Sequence, residues 1–268
     1  MPAIYNEMRR LICRGANNAL VGRNIHLSYN ELLRQINNYT TLFENKSFQR
    51  IAIFSENRPE WIFAYYAILK SKGIAVPIDF MSSSQDVAYI LKDCQPVSVF
   101  VSGDKLKILQ EAMQKANYYP TVHLIDKLNL SESSQTEEEF YISDIHATAM
   151  ILYTSGTTGN PKGVMLSYNN IFTNLDAVCH HVKIYTPDDR VMALLPLHHI
   201  FPLMGTMIAP LYVGATIVLN TSLAADEILA TLQQHHVTIM IGVPRLYQLF
   251  YKGLKEKIRQ NTIAKILL

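Results

Sequence analysis

Short apolar runs and helical patterns alternate along the first half of the chain. Residues 50–54, RIAIF, form an apolar run typical of a buried strand. Apolar residues recur every three or four positions from Leu32 to Phe43, which predicts one face of a helix. Ser28 and Glu31 have the spacing of a capping box in front of that helix. The same reasoning predicts strands at 74–78, 97–101 and 121–125, and helices at 60–72, 84–93 and 105–116.

The second half of the chain continues this alternation. The patterns predict strands at 147–153, 191–195, 215–219 and 237–241, and helices at 169–181, 223–235 and 245–257. Strands that alternate with crossover helices are typical of an α/β fold with mostly parallel sheets covered by helices on both faces. Residues 131–139, SESSQTEEE, are predicted to form a solvated loop. Because no linker divides the chain, one large domain and two abutting subdomains both remain open.

Composition and charge exclude several classes of protein. Apolar residues make up 49% of the 268 residues and charged residues 17%, which excludes a disordered chain. The 24 Lys and Arg against 22 Asp and Glu leave a net charge of +2, so no basic surface for nucleic acid is predicted. Cys13, Cys94 and Cys179 form no CxxC pair, and no secretory signal is visible. This pattern indicates a reducing compartment, and we expect a cytoplasmic protein.

One segment resembles a membrane span in composition only. Residues 191–225 contain no Asp, Glu, Lys or Arg. Prolines and glycines interrupt the segment, and His198 and His199 lie inside it. A spanning helix needs about 20 largely apolar residues in one stretch. We therefore predict a buried strand, loop, helix and strand rather than a transmembrane segment, and leave peripheral membrane contact open.

The richest chemistry lies in residues 153–163, YTSGTTGNPKG, directly after a predicted strand. Glycines permit close backbone approach, exposed N–H groups can form an anion nest, and a lysine adds a point charge. The loop therefore favours a polyphosphate ligand, although a loop without any ligand is the simpler alternative. The candidate residues are Thr154, Ser155, Gly156, Thr157, Thr158, Gly159 and Lys162.

The loop matches none of three better-known motifs. The GxxxxGK[ST] phosphate loop is excluded because Pro161 stands before Lys162 and Gly163 follows it. The GxGxxG fingerprint of dinucleotide sites is absent from this stretch. A GxSxG nucleophile elbow would need a glycine where Tyr153 stands.

The loop resembles the signature loop of the adenylate-forming superfamily, which includes acyl-CoA synthetases, luciferases and adenylation domains of peptide synthetases. Further stretches resemble that superfamily in the same order, and the resemblance extends over nearly the whole chain. They are residues 27–37 (LSYNELLRQIN), 56–79 (ENRPEWIFAYYAILKSKGIAVPID), 195–201 (LPLHHIF) and 241–250 (IGVPRLYQLF). The last two look most like the fatty-acyl branch.

The resemblance implies a two-step reaction. A carboxylate attacks the α-phosphorus of ATP to give acyl-AMP and pyrophosphate, and coenzyme A then displaces AMP. It also implies that residues 154–159 and Lys162 hold the β- and γ-phosphates, with Mg²⁺ sharing that task. His199 matches the pocket histidine of the family, although a core histidine would be the simpler interpretation without that match. Lys162 and His199 are thus the predicted catalytic residues.

The resemblance also implies that residues 1–268 are the N-terminal part of an AMP-binding domain. The family's Tyr-Gly-x-Thr-Glu segment, ribose-binding aspartate and C-terminal adenylation lysine do not occur in this sequence. We therefore expect this chain alone to be inactive. Adenylation of an aryl acid, transfer to an acyl carrier protein, and a non-catalytic nucleotide-binding module remain as alternatives.

Three histidine pairs, at 180–181, 198–199 and 235–236, are weak candidates for a metal site. Adjacent residues in a strand point to opposite sides, so only one histidine of each pair could serve one site. No HExxH or CxxC motif accompanies them. We assign no metal ligand, and we expect His199 rather than His198 to face the acyl-adenylate, on the premise that the segment is extended.

Overall fold

A five-stranded sheet and a six-stranded sheet form the framework of the protein. The computed structural model describes residues 12, 17–43, 49–128, 130, 142, 144–154, 161–220 and 222–260. Most neighbouring strands are parallel. Within the described residues, the antiparallel pairs are Asn18–Gly22 with Ile25–Ser28, and Thr148–Thr154 with Lys162–Ser167. This confirms the predicted α/β fold with mostly parallel sheets.

The five-stranded sheet has the order β11-β9-β10-β1-β2. Its strands are β1 (Asn18–Gly22), β2 (Ile25–Ser28), β9 (Arg190–Ala193), β10 (Thr216–Leu219) and β11 (Ile239–Met240). The sequence patterns did not predict β1 and β2, which form a hairpin whose turn includes Asn24 at a φ of 61°. β1 lies parallel to β10, with Leu20 opposite Ile217, so its partner comes almost 200 residues later.

The six-stranded sheet has the order β6-β5-β3-β4-β7-β8. Its strands are β3 (Arg50–Phe54), β4 (Ile74–Pro77), β5 (Ser98–Val101), β6 (Thr121–Leu124), β7 (Thr148–Thr154) and β8 (Lys162–Ser167). β8 was not predicted, and it runs antiparallel to β7. The predicted loop at 131–139 lies outside the described residues.

Helices connect these strands close to the predicted positions. They are α1 (Tyr29–Thr40), α2 (Pro59–Lys70), α3 (Ser84–Cys94), α4 (Gly103–Ala116), α5 (Tyr168–Leu175), α6 (Ile200–Pro202), α7 (Ala209–Val213), α8 (Ala225–Gln234) and α9 (Pro244–Gln260). The predicted capping box of α1 is confirmed, because the Glu31 N–H donates to Ser28 Oγ and the Ser28 N–H donates to the Glu31 carboxylate. The predicted helix at 169–181 instead consists of α5 followed by a π-helical turn, Asp176–His181.

Helix α2 forms the centre of the core. Every residue from Trp61 to Leu69 is buried, so the helix is covered on all sides. One cluster of buried residues joins α2 to strands of both sheets, including Ile51 and Val191. The two sheets therefore share a continuous core. No helix of the described residues combines the length and apolar character needed to cross a membrane.

Candidate functional site

The candidate phosphate loop connects the two strands of the β7–β8 hairpin. Thr154 ends β7 and Lys162 begins β8, and the two residues are directly opposite each other. Both side chains are exposed, and the Lys162 side chain makes no hydrogen bond or ion pair with another described residue. The other predicted phosphate-binding residues, Ser155, Gly156, Thr157, Thr158 and Gly159, lie outside the described residues. The hairpin thus presents a hydroxyl and a cation at the two ends of the loop.

Tyr153 braces the base of this loop. A Cβ atom added to Gly163 would lie 3.2 Å from Cζ of Tyr153 and 3.0 Å from Cγ2 of Ile151, so the tyrosine ring packs against the glycine. The Tyr153 hydroxyl donates a hydrogen bond to Oδ2 of Asp93 at 2.5 Å. Burial, followed by this hydrogen bond, raises the pKa of Tyr153. The sequence reasoning missed this role because Asp93 lies 60 residues away on α3.

Residues 195–199, the LPLHH segment, follow β9 and cross to the six-stranded sheet. The buried Asn57 side chain bonds to this segment twice. Its Nδ2 donates to the carbonyl oxygen of Leu195 at 2.8 Å, and its Oδ1 accepts from the backbone N–H of Leu197 at 2.9 Å. The segment is therefore fixed to the connection between β3 and α2.

The two histidines of the segment lie in contact with each other. Their Nε2 atoms are 3.1 Å apart and their ring centroids 4.1 Å apart. The premise of an extended segment is wrong: the chain turns here, since the His199 N–H donates to the carbonyl oxygen of Pro196. Strand-like alternation therefore does not separate the rings. Which of the two faces the acyl-adenylate stays a prediction.

His198 and His199 differ strongly in environment. His198 is buried, lies with Nε2 3.3 Å from Oδ1 of Asp79, and packs edge-to-face on Phe80. Burial lowers the pKa of His198, Asp79 opposes that shift, and His199 adds to it. His198 is consequently neutral at pH 7, whereas His199 is exposed at the start of α6.

The loop and the histidines belong to one edge of the six-stranded sheet. β3, β4 and β7 are parallel neighbours, and their carboxyl ends therefore meet at the same edge. Asn57 and Asp79 follow β3 and β4, and Thr154 ends β7. Because Asn57 and Asp79 hold the LPLHH segment, that segment lies at the edge from which the loop extends.

The chain after His199 is helical and apolar. α6 leads into a π-helical segment, Leu203–Ile208, and then into α7. The Tyr185 hydroxyl donates to the carbonyl oxygen of Gly205 in that segment. A Cβ atom at Gly205 would lie 2.7 Å from Cδ1 of Ile241. The stretch at 241–250, which resembles the fatty-acyl branch of the superfamily, thus begins in contact with the helix that follows the histidines.

The other histidine pairs form no shared site. His180 bonds to the Tyr212 hydroxyl, and His181 bonds to Asp176. Within the described ranges, no three His, Cys, Asp or Glu side chains are grouped so that they could hold a metal ion.

Comparison with known proteins identifies the family. The AMP-binding enzyme family matches residues 13–266. The chain is 27% identical over 215 residues to the mitochondrial malonate–CoA ligase of Xenopus laevis, covering 76% of this chain and 36% of the ligase. It is 28% identical over 229 residues to the 2-succinylbenzoate–CoA ligase of Bacillus velezensis, covering 85% of this chain and 44% of that ligase. It is 25% identical over 239 residues to a long-chain-fatty-acid–CoA ligase of Rattus norvegicus, covering 80% of this chain and 36% of that ligase.

A solved structure of another protein also resembles this chain. ATP-bound MatB from Rhodopseudomonas palustris superimposes with a TM-score of 0.78 at 22% identity, over 92% of this chain and 50% of MatB. At that identity the superposition shows a shared fold. The chain spans 36% to 44% of the length of the curated relatives named above. Since the family match extends over nearly the whole chain, the protein belongs to the AMP-binding enzyme family.

Proposed function

We propose that the full-length protein is an acid–CoA ligase that activates a carboxylic acid with ATP and transfers the acyl group to coenzyme A. The observation that carries this proposal is the common edge of the six-stranded sheet, from which the Thr154–Lys162 loop extends and at which the LPLHH segment is held. The names of the relatives support the same reaction class, since each is a CoA ligase. Residues 1–268 would be the N-terminal part of its adenylation domain.

In this proposal, the loop binds the polyphosphate of ATP. Thr154, Ser155, Gly156, Thr157, Thr158 and Gly159 would surround the β- and γ-phosphates with hydroxyl and backbone donors. Lys162 would supply the cation, which is available because no described residue neutralises it. Donors and charges fixed before the reaction stabilise the charge that develops on the pyrophosphate leaving group.

The histidine pair would border the carboxylate of the substrate. His199 is exposed and can reach a ligand, whereas His198 is buried behind it. The Nε2 atom of the buried His198 lies 3.1 Å from Nε2 of His199, and this contact would orient the His199 ring. The proposed catalytic residues are therefore Lys162 and His199.

Magnesium is implied by the family resemblance. The described residues offer no group of three carboxylate, imidazole or thiol ligands, and we assign no residue to the ion.

For the substrate we propose a medium- or long-chain fatty acid. Residues 191–244 contain no Lys or Arg, so this stretch provides no cation for a second carboxylate such as that of malonate. Its side chains are largely apolar, including the buried Met204 and Met207. Each buried methylene of an acyl chain contributes about 0.8 kcal/mol. An aryl acid is the second candidate because the 2-succinylbenzoate–CoA ligase is a relative.

We propose a reducing location, the cytoplasm. Cys94 and Cys179 are buried free thiols, and burial raises the pKa of each to about 11. Such thiols remain protonated and unreactive at pH 7. One relative is named as mitochondrial, so fractionation of cells decides between compartments.

Pyrophosphate exchange tests the proposal. The full-length protein would be given ATP, Mg²⁺ and, in turn, medium-chain, long-chain and aryl acids, malonate and 2-succinylbenzoate. We expect exchange with fatty acids and thioester formation after addition of coenzyme A. Thioester formation only with an acyl carrier protein would correct the acceptor. ATP binding without exchange for any acid would favour a non-catalytic module.

A further inference from the structure

The buried side-chain amide of Asn57 joins the six-stranded sheet to the LPLHH segment. Asn57 lies between β3 and α2, yet both ends of its side chain bond to backbone groups 138 and 140 residues later. The bonded groups belong to Leu195 and Leu197, which flank Pro196. The Asn57 amide supplies both a donor and an acceptor to the turn.

The support for this amide is rigid. Asn57 directly precedes Arg58, the N-cap of α2, and Pro59, the first residue of that helix, which is buried from Trp61 to Leu69. Arg58 itself is held by Glu60 at 2.8 Å and Asp126 at 2.7 Å. A side chain on so fixed a junction can hold a neighbouring segment within a narrow range of positions.

A second contact acts on the same segment from the next strand. Asp79 follows β4, and its Oδ1 lies 3.3 Å from Nε2 of His198. The same Oδ1 accepts the backbone N–H of Met81 at 2.8 Å, which orients the carboxylate. The segment is thus held by its backbone at Asn57 and by a side chain at Asp79.

We infer that Asn57 is a positioning residue, which sets the turn at Leu195–Leu197 and thereby the placement of the His198–His199 pair. This inference rests on the proposed function for its kinetic consequences only. Its structural consequence, the placement of the two imidazole rings, can be measured in the absence of any reaction.

The test compares three variants of the full-length protein. Asn57→Ala removes both bonds to the turn. Asn57→Asp keeps the acceptor for Leu197 and replaces the donor for Leu195 by a second oxygen. Asn37→Ala is the matched control, since Asn37 accepts from Lys70 at the other end of α2, at 2.6 Å.

The first measurement is a pH titration of the imidazole ¹⁵N signals, assigned through His198→Gln and His199→Gln. We expect Asn57→Ala and Asn57→Asp to shift the titration of His198 and the ¹⁵N chemical shifts of the His199 ring, and to leave the signals of the exposed His146 unchanged. Asn37→Ala should move none of these signals. Unchanged signals of both rings in the folded Asn57 variants would overturn the inference, and so would failure of both variants to fold, because Asn57 would then be a folding residue.

The second measurement is kinetic. We expect both Asn57 variants to raise the KM for the carboxylate about tenfold, with less than a twofold change in the KM for ATP. An equal rise in the KM for the carboxylate and in the KM for ATP would contradict a positioning role. If the unaltered protein shows no exchange with any acid, the proposed function fails, while the titration still decides on Asn57.

Discussion

The Tyr153 hydroxyl and the Asp93 carboxylate, 2.5 Å apart, connect the base of the candidate phosphate loop to the end of α3. The ring of the same tyrosine packs against Gly163 on the neighbouring strand. Both strands that carry the loop are thereby fixed by one side chain. A phosphate-binding loop needs such support, because preorganised donors act without reorganisation during the reaction.

Tyr153→Phe therefore tests the support of the loop. The variant removes the hydrogen bond and keeps the ring on Gly163. We expect the KM for ATP to rise severalfold and the free energy of unfolding to fall by about 1 kcal/mol. Tyr119→Phe is the control, since Tyr119 is 65% exposed. An equal KM for ATP in the two variants would show that the hydroxyl does not support the loop.

Lys162→Ala tests whether the positive charge of Lys162 contributes to the use of ATP. Removing the charge should weaken the use of ATP, measured as kcat/KM in pyrophosphate exchange, more than the binding of the carboxylate. Lys162→Arg keeps the charge and should retain part of the activity, although guanidinium geometry differs from that of an ammonium group. Lys107→Ala removes an exposed lysine of α4 and serves as the control. An unchanged dependence on ATP concentration in Lys162→Ala would refute the assignment.

Substitution of each histidine separates contact with the substrate from packing. His199→Ala should lower the rate of adenylation and change stability by less than about 0.5 kcal/mol, since the residue is exposed. His198→Ala should destabilise the fold by roughly 1–3 kcal/mol, because a buried ring beside Phe80 is lost. Thermal unfolding measures the stability of both variants, and pyrophosphate exchange measures their rate of adenylation. A larger loss of stability in His199→Ala would reverse the roles.

His198 also predicts a dependence of stability on pH. Its pKa is lowered in the folded protein, mainly by burial, so the unfolded chain binds the proton more readily. The stability it contributes is complete above its unfolded pKa of about 6.5 and is lost as pH falls towards the lowered folded value. We expect a falling unfolding midpoint between pH 7 and pH 5, and a smaller fall in His198→Gln. Equal slopes in the two proteins would count against a neutral buried His198.

The sequence predicts local elements better than distant pairings. The apolar run at 50–54 and the capping box at Ser28 contain their own signals, and both are confirmed. β1 and β2 escaped prediction because β1 depends on β10, far along the chain. β8 escaped because Val164 and Met165 are 44% and 69% exposed and do not alternate with polar residues.

In the candidate site, too, the local motifs could be predicted from the sequence and the distant contacts could not. The loop at 153–163 and the LPLHH segment are recognisable from sequence, since each is a continuous stretch. Their supports, Asp93, Asn57 and Asp79, are not, because each acts on a residue 60 or more positions away. The predicted orientation of the histidines assumes an extended chain, whereas the chain turns here, because the His199 N–H donates to the carbonyl oxygen of Pro196.

The last prediction concerns residues 1–268 expressed alone. We expect this chain to fold, because its two sheets share one core around α2. Exposed apolar residues of β8 and α6, such as Met165 and Phe201, should promote self-association, which sedimentation would detect. We expect weak ATP binding and no useful pyrophosphate exchange. The described site offers one cation at the loop, and loss of even one preorganised donor costs roughly 2.7–4 kcal/mol of barrier. Exchange at the rate of the full-length protein would show that the essential groups lie within these residues.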